Sequence, residues 1–119
     1  MKICLIGSTR FKELYFKANR DLTARGHVVY TVAFHTSQEG EAVEVSTEEK
    51  EVLDLVHLKK ILESDAVMLI TDDTGYFGDS TRRELLWAEI NQKCLWHIRD
   101  IGYLSNPTDL TRIRAELGV

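Results

Sequence analysis

Four short apolar runs alternate with longer segments of helical spacing from one end of the chain to the other. "KICLIG" (2–7), "HVVYTVAF" (27–34), "DAVMLIT" (65–71) and "CLWHI" (94–98) read as strands, being short and mostly apolar, with β-branched and aromatic residues in the second. Between the first two, Phe11, Leu14, Tyr15, Ala18 and Leu22 recur at helical spacing, and Gly26 offers a stop. "STEE" (46–49) offers a capping box, with Ser46 as cap and Glu49 reaching back. The helix it opens directs Val52, Leu55, Leu58, Ile61 and Leu62 toward the core. A third helix is expected over 81–92, capped by Ser80. A last one follows Pro107, with Thr108 as its cap.

Such alternation has few solutions, because parallel strands need crossover connections and helices supply them. The expectation is a single α/β domain over 1–119: a Rossmann-like, flavodoxin-like three-layer sandwich. Its mostly parallel sheet has four or five strands, in the order 2-1-3-4. In open sheets of this kind ligands bind beyond the carboxyl ends of the strands. Three polar clusters fall on that edge: "GSTR" (7–10), "FHTS" (34–37) and "TDDTGYFGDSTRRE" (71–84). A polar, acidic segment over 35–45 is expected to be an exposed loop or lid.

Composition narrows the class of partner. The chain has 119 residues, 44% hydrophobic and 29% charged, with a formal net charge of −4. That balance argues against a nucleic-acid polymer as ligand, while leaving room for a small basic pocket. No run reaches the length of a membrane-spanning helix, and "MKICLIGS" is too short for a signal-peptide core. Cys4 and Cys94 both sit in apolar runs and read as buried small hydrophobes of a reducing, cytoplasmic compartment. The four histidines lack metal-ligand spacing, so neither metal nor cofactor is expected.

"GSTR" places Gly7, Ser8, Thr9 and Arg10 at a strand-to-helix turn, where free amides favour an anion and Arg10 adds a forked donor. A hydroxyl that merely caps the helix, with Arg10 in solvent, explains the same residues equally well. "GYFGDSTRRE" (75–84) repeats the chemistry. Gly75 and Gly78 allow close approach to the backbone, Ser80 and Thr81 offer hydroxyls, and Arg82 and Arg83 crowd a helix start that disfavours cations. Glu84 falls in or just past the first turn, where the dipole favours an ionised carboxylate, as a nucleophile requires. A surface Glu complementing the dipole has the same signature. Asp72 suits a sugar hydroxyl or a turn, Tyr76 a stacked base, and His57 a structural or an acid–base role.

Three motifs, "GSTRF" (7–11), "HLKKI" (57–61) and "GYFGDSTRRE" (75–84), give the chain a family likeness. It resembles the nucleoside 2-deoxyribosyltransferase-like superfamily, and within it small phage and bacterial members related to 2'-deoxynucleoside 5'-monophosphate N-glycosidases. The likeness spans about residues 1 to 98. It implies cleavage or exchange of an N-glycosidic bond, with Glu84 attacking the anomeric carbon and forming a glycosyl-enzyme ester. It implies Ser8 and Arg10 on a 5'-phosphate, Ser80 assisting near the nucleophile, and a homodimer or larger homo-oligomer acting on a small nucleotide or deoxynucleoside. The hydrolases carry an aspartate where this chain has His57, which Asp54 would orient. That departure sustains two alternatives: a non-catalytic nucleotide-binding or sensing module, and a hydrolase of an NAD-derived ribosyl group.

Overall fold

The computed structural model describes residues 1–34, 45–104 and 110–119. Four parallel strands form one sheet: β1 (Lys2–Gly7), β2 (Val28–Tyr30), β3 (Ala66–Ile70) and β4 (Cys94–His97), in the order β2-β1-β3-β4. Five helices accompany them: α1 (Lys12–Ala24), α2 (Thr47–Glu63), α3 (Asp79–Ile90), α4 (Ile101–Leu104) and α5 (Leu110–Leu117). The fold class and strand order are those expected from the alternation of elements. Among the described residues no helix is long and apolar enough to cross a membrane.

The centre of the sheet is β1, which pairs with β2 from Lys2↔Val28 and with β3 from Ile3↔Ala66 to Gly7↔Ile70. Its unbroken apolar run serves both faces. Ile3 and Leu5 pack with Tyr15, Ala18 and Leu22 of α1, while Cys4 and Ile6 pack with Ile61 of α2 and Ala88 of α3. All of these but Ala88 are fully buried, and Ala88 nearly so. α1 therefore covers one face, and α2 and α3 the other. As anticipated, α1 ends before Gly26, whose φ of +88° is the left-handed conformation that a helix stop favours.

Tertiary packing departs from sequence periodicity in several places. Of the apolar residues on α2, Ile61 is buried and Leu58 partly so, but Val52, Leu55 and Leu62 face solvent. Two faces of this 17-residue helix carry apolar residues, and only one can meet the sheet. Cys94 is exposed rather than buried, because β4 is an edge strand. Regular pairing of β2 stops at Tyr30, short of the expected 34. α3 starts at Asp79 with Gly78 as its cap residue, so Ser80 lies inside the first turn and does not cap. Its Oγ instead accepts from Arg83 Nη2 at 3.3 Å. Ser46 does cap α2, accepting from Glu49 N at 3.1 Å. After β4 the chain turns at once: the His97 ring accepts from Arg99 N, and the Asp100 carboxylate accepts from His97 N at 3.0 Å, leading into the unanticipated α4. Thr108 and nearly all of the 35–45 segment lie outside the described residues.

The end of β1 is the tightest point. Gly7 has a φ of +150°, and a Cβ there would sit 2.3 Å from the Ile70 carbonyl oxygen. Tyr15, fully buried, donates its hydroxyl to the Gly7 carbonyl at 2.9 Å. Gly7→Ala is expected to lower unfolding free energy by about 3 kcal/mol, combining strained φ with a backbone clash. Gly102→Ala, where a Cβ meets open space, is expected to cost nothing measurable. Denaturant titration of both variants checks this; equal midpoints would refute the close-approach argument.

Candidate functional site

A cavity of about 450 Å³ opens at the carboxyl edge of the sheet. Its walls are the end of β1 (Gly7, Ser8, Thr9), the chain leaving β2 (Val32, Ala33), one stripe of α2, and the start of α3 from Gly78 to Thr81 with Glu84. The α2 stripe is built by helical repetition: Lys50, Leu53, Asp54, His57 and Lys60 recur every three or four residues. Two of the sequence motifs, at the ends of β1 and β3, are adjacent because β1 and β3 are paired neighbours.

Glu84 and His57 meet in this cavity. The Glu84 Oε2 atom lies 3.5 Å from His57 Nε2, an ion-pair contact, and the side chains are 19% and 7% exposed. Neither Glu84 Oε2 nor His57 Nδ1 has a hydrogen-bond partner among the described residues, although both are buried. Buried polar atoms without partners are uncommon and concentrate where a ligand or a reaction supplies the missing contact. The same Nε2 atom of His57 lies 3.9 Å from Cys4 Sγ. Burial and the nearby Glu84 carboxylate push the Cys4 thiol up to about 12, with Lys60 opposing. Cys4 is thus a protonated core residue behind His57 rather than a nucleophile, and it does not line the cavity. Burial, Glu84 and Cys4 likewise push the Tyr15 phenol upward.

Nine of the residues singled out from sequence line the cavity: Gly7, Ser8, Thr9, Asp54, His57, Gly78, Ser80, Thr81 and Glu84. Ser8 also caps the short 3-10 turn before α1, accepting from Arg10 N at 3.3 Å, so both readings of its hydroxyl coexist. Arg10, Asp72, Tyr76 and Arg82 do not line it. The Arg10 guanidinium stacks over the Tyr76 ring at 4.0 Å, and the Arg82 guanidinium lies 5.5 Å from the Phe77 ring centre. Asp72 accepts from Thr74 N at 3.0 Å and from the Thr74 hydroxyl. These bonds, chiefly the hydroxyl's, with a smaller contribution from Arg10, hold its carboxyl below the ordinary range. Asp72 lines a separate cleft that also includes His97 and Arg99.

Glu84 is the sixth residue of α3 and lies beyond the first turn, so the helix dipole acts on it weakly. Its environment comes instead from His57 and from burial. An adjoining recess of about 200 Å³, between Asp54, Leu58, Ser80 and Arg83, also reaches Glu84. Lys50 and Leu53 were missed from sequence, and Lys60 was quoted in "HLKKI" without a role. Stepping by helical repeats from His57 would have found them, since 50, 53 and 60 share its face.

No protein-family model matches the chain, and no curated protein matches it. A solved structure of a 2-deoxyribosyltransferase from the psychrotolerant bacterium Bacillus psychrosaccharolyticus is similar to it. The two are 26% identical with a TM-score of 0.57, over 82% of this chain and 71% of that one. The likeness supports the superfamily to which the three motifs point.

The two thiols provide a test of the site's packing. Iodoacetamide at pH 8 is expected to label Cys94 in the folded protein and to reach Cys4 only after unfolding, as mass spectrometry of the peptides would show. The folded chain also keeps the Cys4 proton above pH 9, where the unfolded chain releases it. Stability is therefore full below about pH 9 and falls as pH rises toward 12. The slope of melting temperature between pH 9 and 11 is expected to be shallower in Cys4→Ala. Equal slopes would show that Cys4 is not the group responsible.

Proposed function

We propose that the protein cleaves or exchanges the N-glycosidic bond of a deoxynucleoside 5'-monophosphate, with Glu84 as nucleophile. The observation that carries the reading is the contact of a largely buried Glu84 with a buried His57 inside the carboxyl-edge cavity. The sequence and structural likeness to a 2-deoxyribosyltransferase supports the same chemistry.

In this reading a Glu84 carboxylate oxygen attacks the anomeric carbon as the bond from that carbon to the base nitrogen breaks. The electron pair of the broken bond leaves with the base, which takes up a proton. The product is an ester between Glu84 and the sugar. Water then hydrolyses it, or a second base accepts the sugar, following the two-step logic of retaining glycosidases. His57 Nε2 lies 3.5 Å from the attacking carboxylate, and in this reading His57 gives the departing base its proton. A histidine in this place, instead of a carboxylic acid, still offers a ring N–H that can serve as a proton donor. The low exposure of both groups strengthens their interaction and limits competing hydration.

The hydroxyls of Ser8, Thr9, Ser80 and Thr81 and the backbone of Gly7 and Gly78 contribute the polar lining for sugar and phosphate. The protein acts in the cytoplasm as a homodimer or larger homo-oligomer, and the chemistry needs neither metal nor cofactor.

Incubation with the four deoxynucleoside 5'-monophosphates, the free deoxynucleosides and NAD, followed by chromatography of released base, tests the proposal. Base release from a monophosphate is expected, reduced about a thousandfold or more by Glu84→Gln, the scale on which loss of a covalent nucleophile acts. Release from NAD alone would move the reaction to a ribosyl substrate. Tight nucleotide binding without release, indifferent to Glu84→Gln, would establish a binding module instead.

A further inference from the structure

Lys60 belongs to the "HLKKI" motif, which gave it no role, and it is one of two lysines that line the cavity. It lines the cavity one helical turn after His57, on the same face of α2 as Asp54 and His57. Its half-buried Nζ donates to the Thr31 carbonyl at 2.7 Å, which pins the ammonium between α2 and the chain leaving β2. An ammonium carries three donors, so two remain for other acceptors. None of the ion pairs formed among the described residues involves Lys60. Its only bonded neighbour there is a neutral carbonyl, so its charge is not cancelled by a bonded partner. A cation held in place and partly removed from water attracts an anion more strongly than a free surface lysine does.

Two other cations compete for the role. Arg10 is stacked on Tyr76 and does not line the cavity. Lys50 lines it but is exposed and sits almost three helical turns from Lys60. The carboxylates of the lining are Asp54, Asp79 and Glu84. The first two are exposed, and the third lies 3.5 Å from His57 Nε2.

We infer that Lys60 Nζ, with the Ser8 and Thr9 hydroxyls, holds the phosphoryl group of the substrate and makes the cavity prefer a deoxynucleoside 5'-monophosphate to the free deoxynucleoside. The inference rests on the proposed function for the identity of the ligand and assigns the anion site to α2 instead of to Arg10.

The test measures binding by calorimetry in the Glu84→Gln protein, where turnover does not interfere. The ligands are the four deoxynucleoside 5'-monophosphates and the matching deoxynucleosides. Adding Lys60→Met is expected to weaken monophosphate binding about tenfold to a hundredfold, the range for a lost charge-assisted hydrogen bond, and to leave deoxynucleoside binding unchanged. Lys60→Arg is expected to retain most of the monophosphate affinity. Equal weakening of both ligand classes would show that Lys60 acts only by tying Thr31 in place, and would overturn the inference. So would unchanged monophosphate binding, a loss that falls on Arg10→Met instead, or absence of monophosphate binding before Lys60 is altered. Lys60-dependent monophosphate binding in a protein that releases no base would leave this inference standing and remove the glycosidic reading. Base release that is indifferent to Lys60 and to the phosphate would do the reverse.

Discussion

The structure depends on the close passage of β1 beside β3 at Gly7 and Ile70. A side chain at residue 7 would collide with the Ile70 carbonyl, so glycine alone lets the two strands remain paired to their last residues. The hydroxyl of Tyr15 secures the same point from below by donating to the Gly7 carbonyl. From here the two chains diverge, one into "STR" and the other into the loop that leads to α3. The gap between them is where the cavity opens. Glycine at the mouth of a ligand site on an α/β sheet thus has a packing cause that precedes any contact with ligand.

What surrounds that gap is a balance of burial against charge. β1 turns Cys4 toward α2 and α3, and their side chains His57 and Glu84 close over it. The thiol stays protonated because burial and the neighbouring carboxylate both oppose its ionisation. The same low exposure leaves Glu84 Oε2 and His57 Nδ1 without hydrogen bonds among the described residues, a costly state for a purely structural core. A site that reacts through a carboxylate needs that oxygen unencumbered, so the cost and the proposed chemistry have one origin.

Much of this was legible in the residues. Glu84, His57 and the GST turn were placed together by motif and by the rule that ligands sit at the carboxyl edge, and the structure does line one cavity with them. Other readings failed for definite reasons. Ser80 has the chemistry of a cap, but α3 begins two residues earlier than expected, and the backbone of Gly78 takes that position. Arg10 and Arg82 have the chemistry of anion binders, but their guanidinium groups face the Tyr76 and Phe77 rings and neither residue lines the cavity. Val52, Leu55 and Leu62 have the spacing of a core face, but the sheet is already filled by Leu58, Ile61 and α3. Lys60 reads as an ordinary charged residue until the fold sets Thr31 and the cavity beside it.

Local pattern alone was enough for the order of the four strands, the parallel sheet and the edge on which polar residues collect. These follow from local periodicity and from the short range over which a chain can turn. Which of the polar residues face one another was decided only in three dimensions. The contact of Glu84 with His57 joins residues 27 positions apart on two helices. Its distance depends on how α2 and α3 settle against β1, and no local pattern encodes that. The exposure of Cys94 was decided in the same way, since an apolar run cannot state whether its strand lies at the centre or the edge of a sheet.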